Sequence, residues 1–304
     1  MNQYTIEKAV SCAGIGLHGG QKVHLCFHPA QIDTGILFLR YHGNEKQYIK
    51  VCPQHVVDTQ FSTTIGVDGI NISTVEHVLA AVRGLGIDNL IIEVDGDEVP
   101  ILDGSSVSFV YLLRQAGVQK QKMPKRVLSC VRKLSFEDGE RRIVLSPYNG
   151  LRIRYHIEFS HPMIGQQHFD YVAHPEEFVR SLSRARTFGF MHDIEMLHQS
   201  GLIQGGSLEN ALVFDESGVV NSDGLRFSDE PVRHKLLDFI GDIGIYSDNL
   251  LGCFDVWCSG HGFNNRFLRY LEANAHIYLK PVQGKVKKVN ENIKQEQWAI
   301  PAFF

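Results

Sequence analysis

The sequence predicts an α+β fold of two similar halves, each a mostly antiparallel sheet carrying two helices on one face. Three observations lead there. Alternating, strand-like stretches open each half. The order helix, "DNL" step, strand, helix then occurs twice. Short residue matches accompany that repeated order, which makes duplication a better account than coincidence.

In the first half, "KVHLCFH" alternates apolar Val23, Leu25 and Phe27 with polar neighbours, the period of a half-buried strand. "GILFLRY" follows after a turn. "STVEHVLAAVRGLG" is predicted as a helix, "DNLIIEV" as a strand and "GSSVSFVYLLRQAG" as a second helix. The polar "KQKMPKR" around 120–126, which contains Pro124, is the expected linker. Strands resume in "KRVLSCVRKLSF", "RRIVLS" and "LRIRYHIEF". "PVRHKLLDFIGDIG" is then a helix, "DNLLGCFDVW" a strand and "GFNNRFLRYLEAN" a final helix.

The matches are specific. Val75, His77 and Leu79 align with Val232, His234 and Leu236 at an offset of 157, and Asp88-Asn89-Leu90 with Asp248-Asn249-Leu250 at 160. The halves are therefore set at 1–122 and 123–304, with a small insertion at about 41–62 and a larger one at about 160–210. The larger insertion contains "SRARTFGFMHDIEML" and a Gly-rich "SGLIQGGS", with more apolar residues than a plain loop needs. The stretch after about residue 276 matches no functional motif and is expected to be a tail.

Composition narrows the function class. A net charge of −4 over 304 residues gives no global reason for a nucleic-acid partner, and the basic runs "KMPKR" and "GKVKK" are short enough to be solvated loops. No basic stretch with an apolar core opens the chain, and no apolar run approaches the roughly 20 residues of a membrane span. Six cysteines without a C-x-x-C pair are expected to be reduced thiols. A cytoplasmic, monomeric enzyme without an integral membrane segment is the expectation.

His234, Asp238 and Asp242 recur every four residues, so their side chains lean onto one helix face. His and Asp one turn apart can bind one metal ion, as in H-E-x-x-H proteins, although a structural His–carboxylate pair is the commoner use of such spacing. His77, the repeat-mate of His234, can supply a third ligand if the two helix starts converge. The counterpart of Asp238 is Ala81, so the symmetry yields one site and not two. Glu76 either closes a capping box with Ser73 or acts as general base beside the ligands. His261 opens the last helix in "SGHGFNN", as a cap or as a cationic acid that Asp242 can orient. Lys235 is a solvated lysine or a contact for an anionic substrate. Thr187 in "ARTFGF" is a possible oxyanion donor, with Phe188 and Phe190 as apolar walls. "GIGLHGG" resembles a phosphate-cradling loop but lacks the Walker ending, and such runs are usually turns.

Together, "STVEHVLAAVRGLGIDN", "PILDGS", "ARTFGFMHDIE", "LRFSDEPVRHKLLDFIGD" and "SGHGFNN" resemble the UDP-3-O-acyl-N-acetylglucosamine deacetylases, the LpxC zinc amidases of lipid A biosynthesis. The resemblance implies two α+β halves with helices packed between the sheets and the active site at their interface. It implies that His77, His234 and Asp238 bind Zn²⁺, with Fe²⁺ an alternative for two histidines and a carboxylate. Glu76 is then the base, His261 the acid or electrostatic partner held by Asp242, and Thr187 an oxyanion donor. Lys235 and His18 are placed toward the polar end of an acylated UDP-amino sugar, and Phe188 and Phe190 beside the site. The larger insertion becomes an acyl-chain passage with Ile194, Leu202, Ile203, Ala211 and Val213. Arg141 in "GERRIVL" stands in for a family lysine facing the diphosphate. Two rivals remain: an amidase for another acylated amino sugar, and a non-catalytic sugar-nucleotide or lipid-binding module.

Overall fold

The computed structural model describes residues 1–43 and 45–282. Its first part contains β1 (Asn2–Ile6), β2 (Val10–Ile15), β3 (Lys22–Pro29), β4 (Ile36–His42), β5 (Glu45–Lys50), β6 (Val56–Asp58), β7 (Thr64–Val67), β8 (Ile70–Ile72), α1 (Glu76–Gly84), β9 (Leu90–Val94), α2 (Val107–Gln115) and β10 (Val118–Pro124). There follow β11 (Val127–Cys130), β12 (Leu134–Asp138), β13 (Arg141–Ser146), β14 (Leu151–Glu158), β15 (Gln166–Val172), α3 (Pro175–Ser181), β16 (Phe188–Phe190), α4 (Met191–Gln199), β17 (Leu212–Phe214), α5 (Glu230–Ile243), β18 (Asn249–Trp257), α6 (His261–Ala273), α7 (Ala275–Tyr278) and β19 (Leu279–Pro281). The class is α+β, as expected.

One strand order occurs twice. The first sheet runs β2-β3-β9-β4-β5, and the second pairs β12 with β13, β13 with β18, β18 with β14 and β14 with β15. In both, the central strand, β9 or β18, is antiparallel to one of these neighbours and parallel to the other, and β18 pairs in addition with β11, in parallel. Period-2 burial explains why these segments are strands: Val23, Leu25 and Phe27 of β3 are buried, as are Ile153, Tyr155 and Ile157 of β14. Each sheet turns that face to the helices.

Helices α1 and α5 pack on each other, with α2 on β2 and α5 on β14 and β15. All of α1 except Arg83 is buried, and all of α5 except Arg233 and Lys235. A helix buried all round sits at the centre of a protein, and its polar residues need partners there. The close approach depends on Gly241, where an added Cβ would lie 2.1 Å from the Glu76 carbonyl oxygen. Gly241→Ala must push the helices apart, at a cost of about 2 kcal/mol or more. The check is the urea midpoint, which should fall with little change in slope. An unchanged midpoint would mean the helices are free to separate there.

Several local expectations give way. The expected linker is strand β10, paired antiparallel with β1 as far as Asn2 opposite Pro124. Its proline is tolerated because it ends a strand at a sheet edge. The junction between the two sheets therefore follows Pro124. "KRVLSCVRKLSF" divides into β11 and β12, and Val131 to Lys133 between them are exposed. Part of the expected tail is ordered too: β19 pairs with β11, and only 283–304 lies outside the described residues. β5 falls within 41–62 and β15 within 160–210, and the two occupy equivalent outer places in their sheets. No helix among the described residues is long and apolar enough to cross a membrane.

Candidate active site

The start of α1 and the middle of α5 meet at His77, His234 and Asp238, whose ligand atoms lie within 4.8 Å of one another. Asp238 Oδ1 is 3.4 Å from His77 Nε2 and 3.2 Å from His234 Nε2. The two rings stand edge to face, with centroids 4.9 Å apart. All three side chains are buried. His234 Nδ1 lies 3.0 Å from the Ala185 carbonyl, which can only accept, so Nδ1 carries a proton and Nε2 is the nitrogen turned to Asp238. Burial lowers the proton affinity of His77, opposed in part by Asp238. Burial works against ionising Asp238, yet His234 and Lys235 hold its carboxyl well below the usual range. Neutral imidazoles and an ionised carboxylate are the states a divalent cation requires. Asp238 Oδ1 is moreover buried with no hydrogen-bond partner among the described residues. A buried carboxylate oxygen without a hydrogen bond, facing two imidazole nitrogens, is an arrangement that a metal ion would satisfy.

Glu76 lies alongside. The capping box does not form: Ser73 Oγ donates to the Asp97 carbonyl, and Glu76 Oε2 accepts from the Thr63 amide at 3.0 Å. Burial raises the Glu76 carboxyl to about 7, with the cation at His261 opposing. Glu76 Oε1 and His261 Nε2 are 3.9 Å apart. His261 Nδ1 donates to Asp242 Oδ2 at 2.9 Å. Burial disfavours the His261 imidazolium, but Asp242 and Glu76 outweigh it and raise the group to about 9.

Two residues of this network escaped the sequence. Thr63 Oγ1 donates to Asp242 Oδ1 at 2.7 Å, and Asn264 Nδ2 donates to Asp242 Oδ2 at 2.7 Å. Asn264 lies within "SGHGFNN", one turn beyond His261, and helical spacing could have exposed it. Thr63 follows an irregular stretch and had no sequence signal.

The other candidates surround this centre at differing ranges. Lys235 Nζ donates to Asp238 Oδ2 at 2.8 Å and lies 5.8 Å from the centre of the Phe188 ring. Burial works against its charge, but Asp238 raises its proton affinity overall. Phe188 meets the His234 ring edge to face, while Phe190 packs with Phe159, His161 and Phe214. The Thr187 amide donates to the Gly104 carbonyl at 2.7 Å, and its own carbonyl accepts from Leu212 at 2.8 Å. Arg141 lines a surface cleft with Thr59, Ser259, His261 and Arg266. Ile194 is on α4, which buries none of its residues, and Ile203 and Ala211 lie between α4 and β17. Val213 is opposite Gly189 in the parallel β16–β17 pair. These four lie outside the His–Asp cluster. The amides of His18 and Gly19 are bound by the Glu98 carboxylate, which leaves "GIGLHGG" a structural turn and not a phosphate cradle. Both His18 ring nitrogens are buried without a partner among the described residues, and burial lowers its proton affinity against the pull of Glu98.

Paired imidazoles and a carboxylate that could together hold a metal ion, beside a buried carboxyl raised to about 7, are the groups that metal-assisted hydrolysis uses. More particularly, the chain belongs to the LpxC family: residues 3–273 match its profile, described as UDP-3-O-acyl N-acetylglycosamine deacetylase. It is 49% identical over 283 residues to the UDP-3-O-acyl-N-acetylglucosamine deacetylase of Nitratidesulfovibrio vulgaris, covering 93% of this chain and 92% of that one. The protein of the same name from Oleidesulfovibrio alaskensis is 48% identical over 283 residues, 93% of each chain. That from Myxococcus xanthus is 44% identical over 277 residues, 91% of this chain and 88% of its own.

Proposed function

We propose that this chain hydrolyses the N-acetyl group of UDP-3-O-(3-hydroxyacyl)-N-acetylglucosamine, releasing acetate and the free 2-amino sugar nucleotide for lipid A biosynthesis. The observation that carries the proposal is the convergence of His77, His234 and Asp238, with Asp238 Oδ1 unpartnered and Glu76 beside them. His77 and His234 would hold Zn²⁺, or Fe²⁺, through Nε2, and Asp238 through Oδ1. Such an ion supplies Lewis acidity to the amide carbonyl and lowers the pKa of water. Glu76 takes the proton from the attacking water, a task suited to a carboxyl poised near neutrality. Thr187 donates to the carbonyl oxygen as negative charge develops on it. The C–N bond then breaks as the amine receives a proton, from His261 or returned by Glu76. The charge on His261 at neutral pH supports its part in that step.

Around this chemistry, Arg141 meets the diphosphate, Lys235 and His18 the polar end of the sugar, and Phe188 and Phe190 the substrate beside the site. Ile194, Ile203, Ala211 and Val213 line the acyl passage. Six cysteines without a C-x-x-C pair support a reducing, cytoplasmic setting, and every residue given a role above belongs to one chain, so a monomer suffices. The direct test is acetate release from the acylated UDP-sugar. A chelator should abolish it and added Zn²⁺ restore it. Release that is indifferent to chelation sinks the metal reading, and no release sinks the substrate assignment.

The His261–Asp242 pair makes a second test. A folded-state value of about 9 against an ordinary 6.5 means the folded protein keeps the imidazolium through neutral pH and loses it as pH rises through 9. The stability it contributes is full below about 6.5 and fades from there to 9. Activity that needs the cation should therefore fall on the alkaline side near 9. Asp242→Asn removes the main supporting charge, so that limb of the pH–rate profile should move toward neutral pH. A limb that stays in place excludes His261 as its source.

A further inference from the structure

One buried charge pair has no part in the chemistry above. Arg186 is 2% exposed and Glu230 is fully buried. The Arg186 backbone amide and Nε both donate to Glu230 Oε1, at 3.0 and 2.9 Å, and Nη2 reaches Oε2 at 3.2 Å. Nη1 binds Asp223 and Nη2 the Gly224 carbonyl. The Arg226 amide donates to Glu230 Oε2 at 2.6 Å. One carboxylate on α5 thus grips two separate stretches of chain, the strand-entry loop at Ala185–Thr187 and the segment leading into the helix.

Position gives this grip its consequence. Glu230 and His234 are one turn apart on α5, so they lean onto the same face. The loop that Glu230 holds is the loop whose Ala185 carbonyl accepts from His234 Nδ1 at 3.0 Å. Ala185 directly precedes Arg186, and Thr187 directly follows it. A fork of charge-assisted bonds, one of them to the Arg186 backbone amide, leaves that peptide little freedom. Buried charge pairs are costly and contribute little to stability relative to an apolar replacement, so their retention calls for another explanation. We propose that Arg186 and Glu230 are positioning residues for the metal centre: by fixing the Ala185 carbonyl they set the tautomer and ring orientation of His234. They hold Thr187 in register with the same clamp.

This inference rests on His234 being a metal ligand, and its test separates the two ideas. Full-length wild type, Glu230→Gln and Arg83→Met are compared for zinc affinity by chelator competition, with the melting temperature of each metal-free form. Arg83 serves as a control: it is a half-buried arginine at another helix junction, tied to the Gly244 and Tyr246 carbonyls and remote from His234. Glu230→Gln should lose 10- to 100-fold in zinc affinity, the usual effect of disturbing a group that orients a ligand. Arg83→Met should melt lower yet bind zinc as wild type does. If Glu230→Gln does not fold, Arg186→Lys replaces it, since one cation then still faces Glu230. It should release zinc at least several-fold faster than wild type. Zinc affinity unchanged in the folded variant, or lowered no more than in Arg83→Met, overturns the clamp alone. A wild type that binds no zinc overturns the metal reading and the clamp with it.

Discussion

Glu76→Gln should reduce deacetylation by roughly 10²- to 10⁴-fold while leaving metal content at the wild-type level. The substitution is close to isosteric. Its amide oxygen can still accept from the Thr63 amide, so the local anchor at the start of α1 survives. What it removes is the ability to take a proton. Glu76 is not among the three residues whose ligand atoms converge, so the variant should retain the ion. The alternative role, a capping box with Ser73, is already excluded by the bonds both residues make elsewhere. A third role remains, in which Glu76 only balances the charge of His261 across 3.9 Å. That role predicts a shifted alkaline limb with turnover largely kept, because glutamine removes the charge and no reacting group. Kinetics across pH 5 to 10, with metal content measured on the same samples, separates the two. Turnover within a few-fold of wild type would show that another group accepts the proton.

What the sequence revealed followed from how local each signal was. Strands β3, β9, β14 and β18 were legible because one-sided burial imposes period 2 on consecutive residues, and helices α1 and α5 as apolar stretches in a repeated element order. The convergence of His77, His234 and Asp238 was legible because α1 and α5 repeat the same apolar frame, which places His77 and His234 equivalently. β10 was not legible. Its residues are mostly exposed and polar, so no alternation marks it, and only its bonds to β1 make it a strand. Thr63 was hidden for the same reason: its part in the site consists of tertiary contacts, its hydroxyl to Asp242 across 179 positions and its amide to Glu76. Glu76 shows the reverse error, a local motif that fits the sequence and yields to a tertiary bond. The glycine-rich turn at 14–20 was ambiguous until Glu98, far along the chain, was seen to occupy its amides. Long-range polar contacts leave no period in a sequence, and the site consists largely of them.

The second large effect concerns a residue far from its partners in sequence. His77→Ala should weaken zinc binding by more than the 10- to 100-fold typical of disturbing an outer partner, because a ligand itself is lost. Activity should fall with it. Alanine keeps the helix intact, since α1 already carries Ala80 and Ala81. The Ser106 hydroxyl bonds the His77 backbone carbonyl and not its ring, so that tie is unaffected. Loss of metal could still be blamed on misfolding, and melting with and without chelator resolves this. An ion that binds only the folded state raises its stability with the logarithm of its free concentration over the dissociation constant. Wild type should therefore melt markedly lower after chelation. His77→Ala should melt at one temperature in both conditions, close to that of metal-free wild type. A purely structural His–Asp cluster predicts the opposite pattern: wild type indifferent to chelation, and the variant lower in both. Equal metal stoichiometry in wild type and variant would remove His77 from the site and leave α5 to bind the ion alone. Two ligands one turn apart bind weakly, and the shared position of α1 and α5 at Gly241 would then have no chemical purpose.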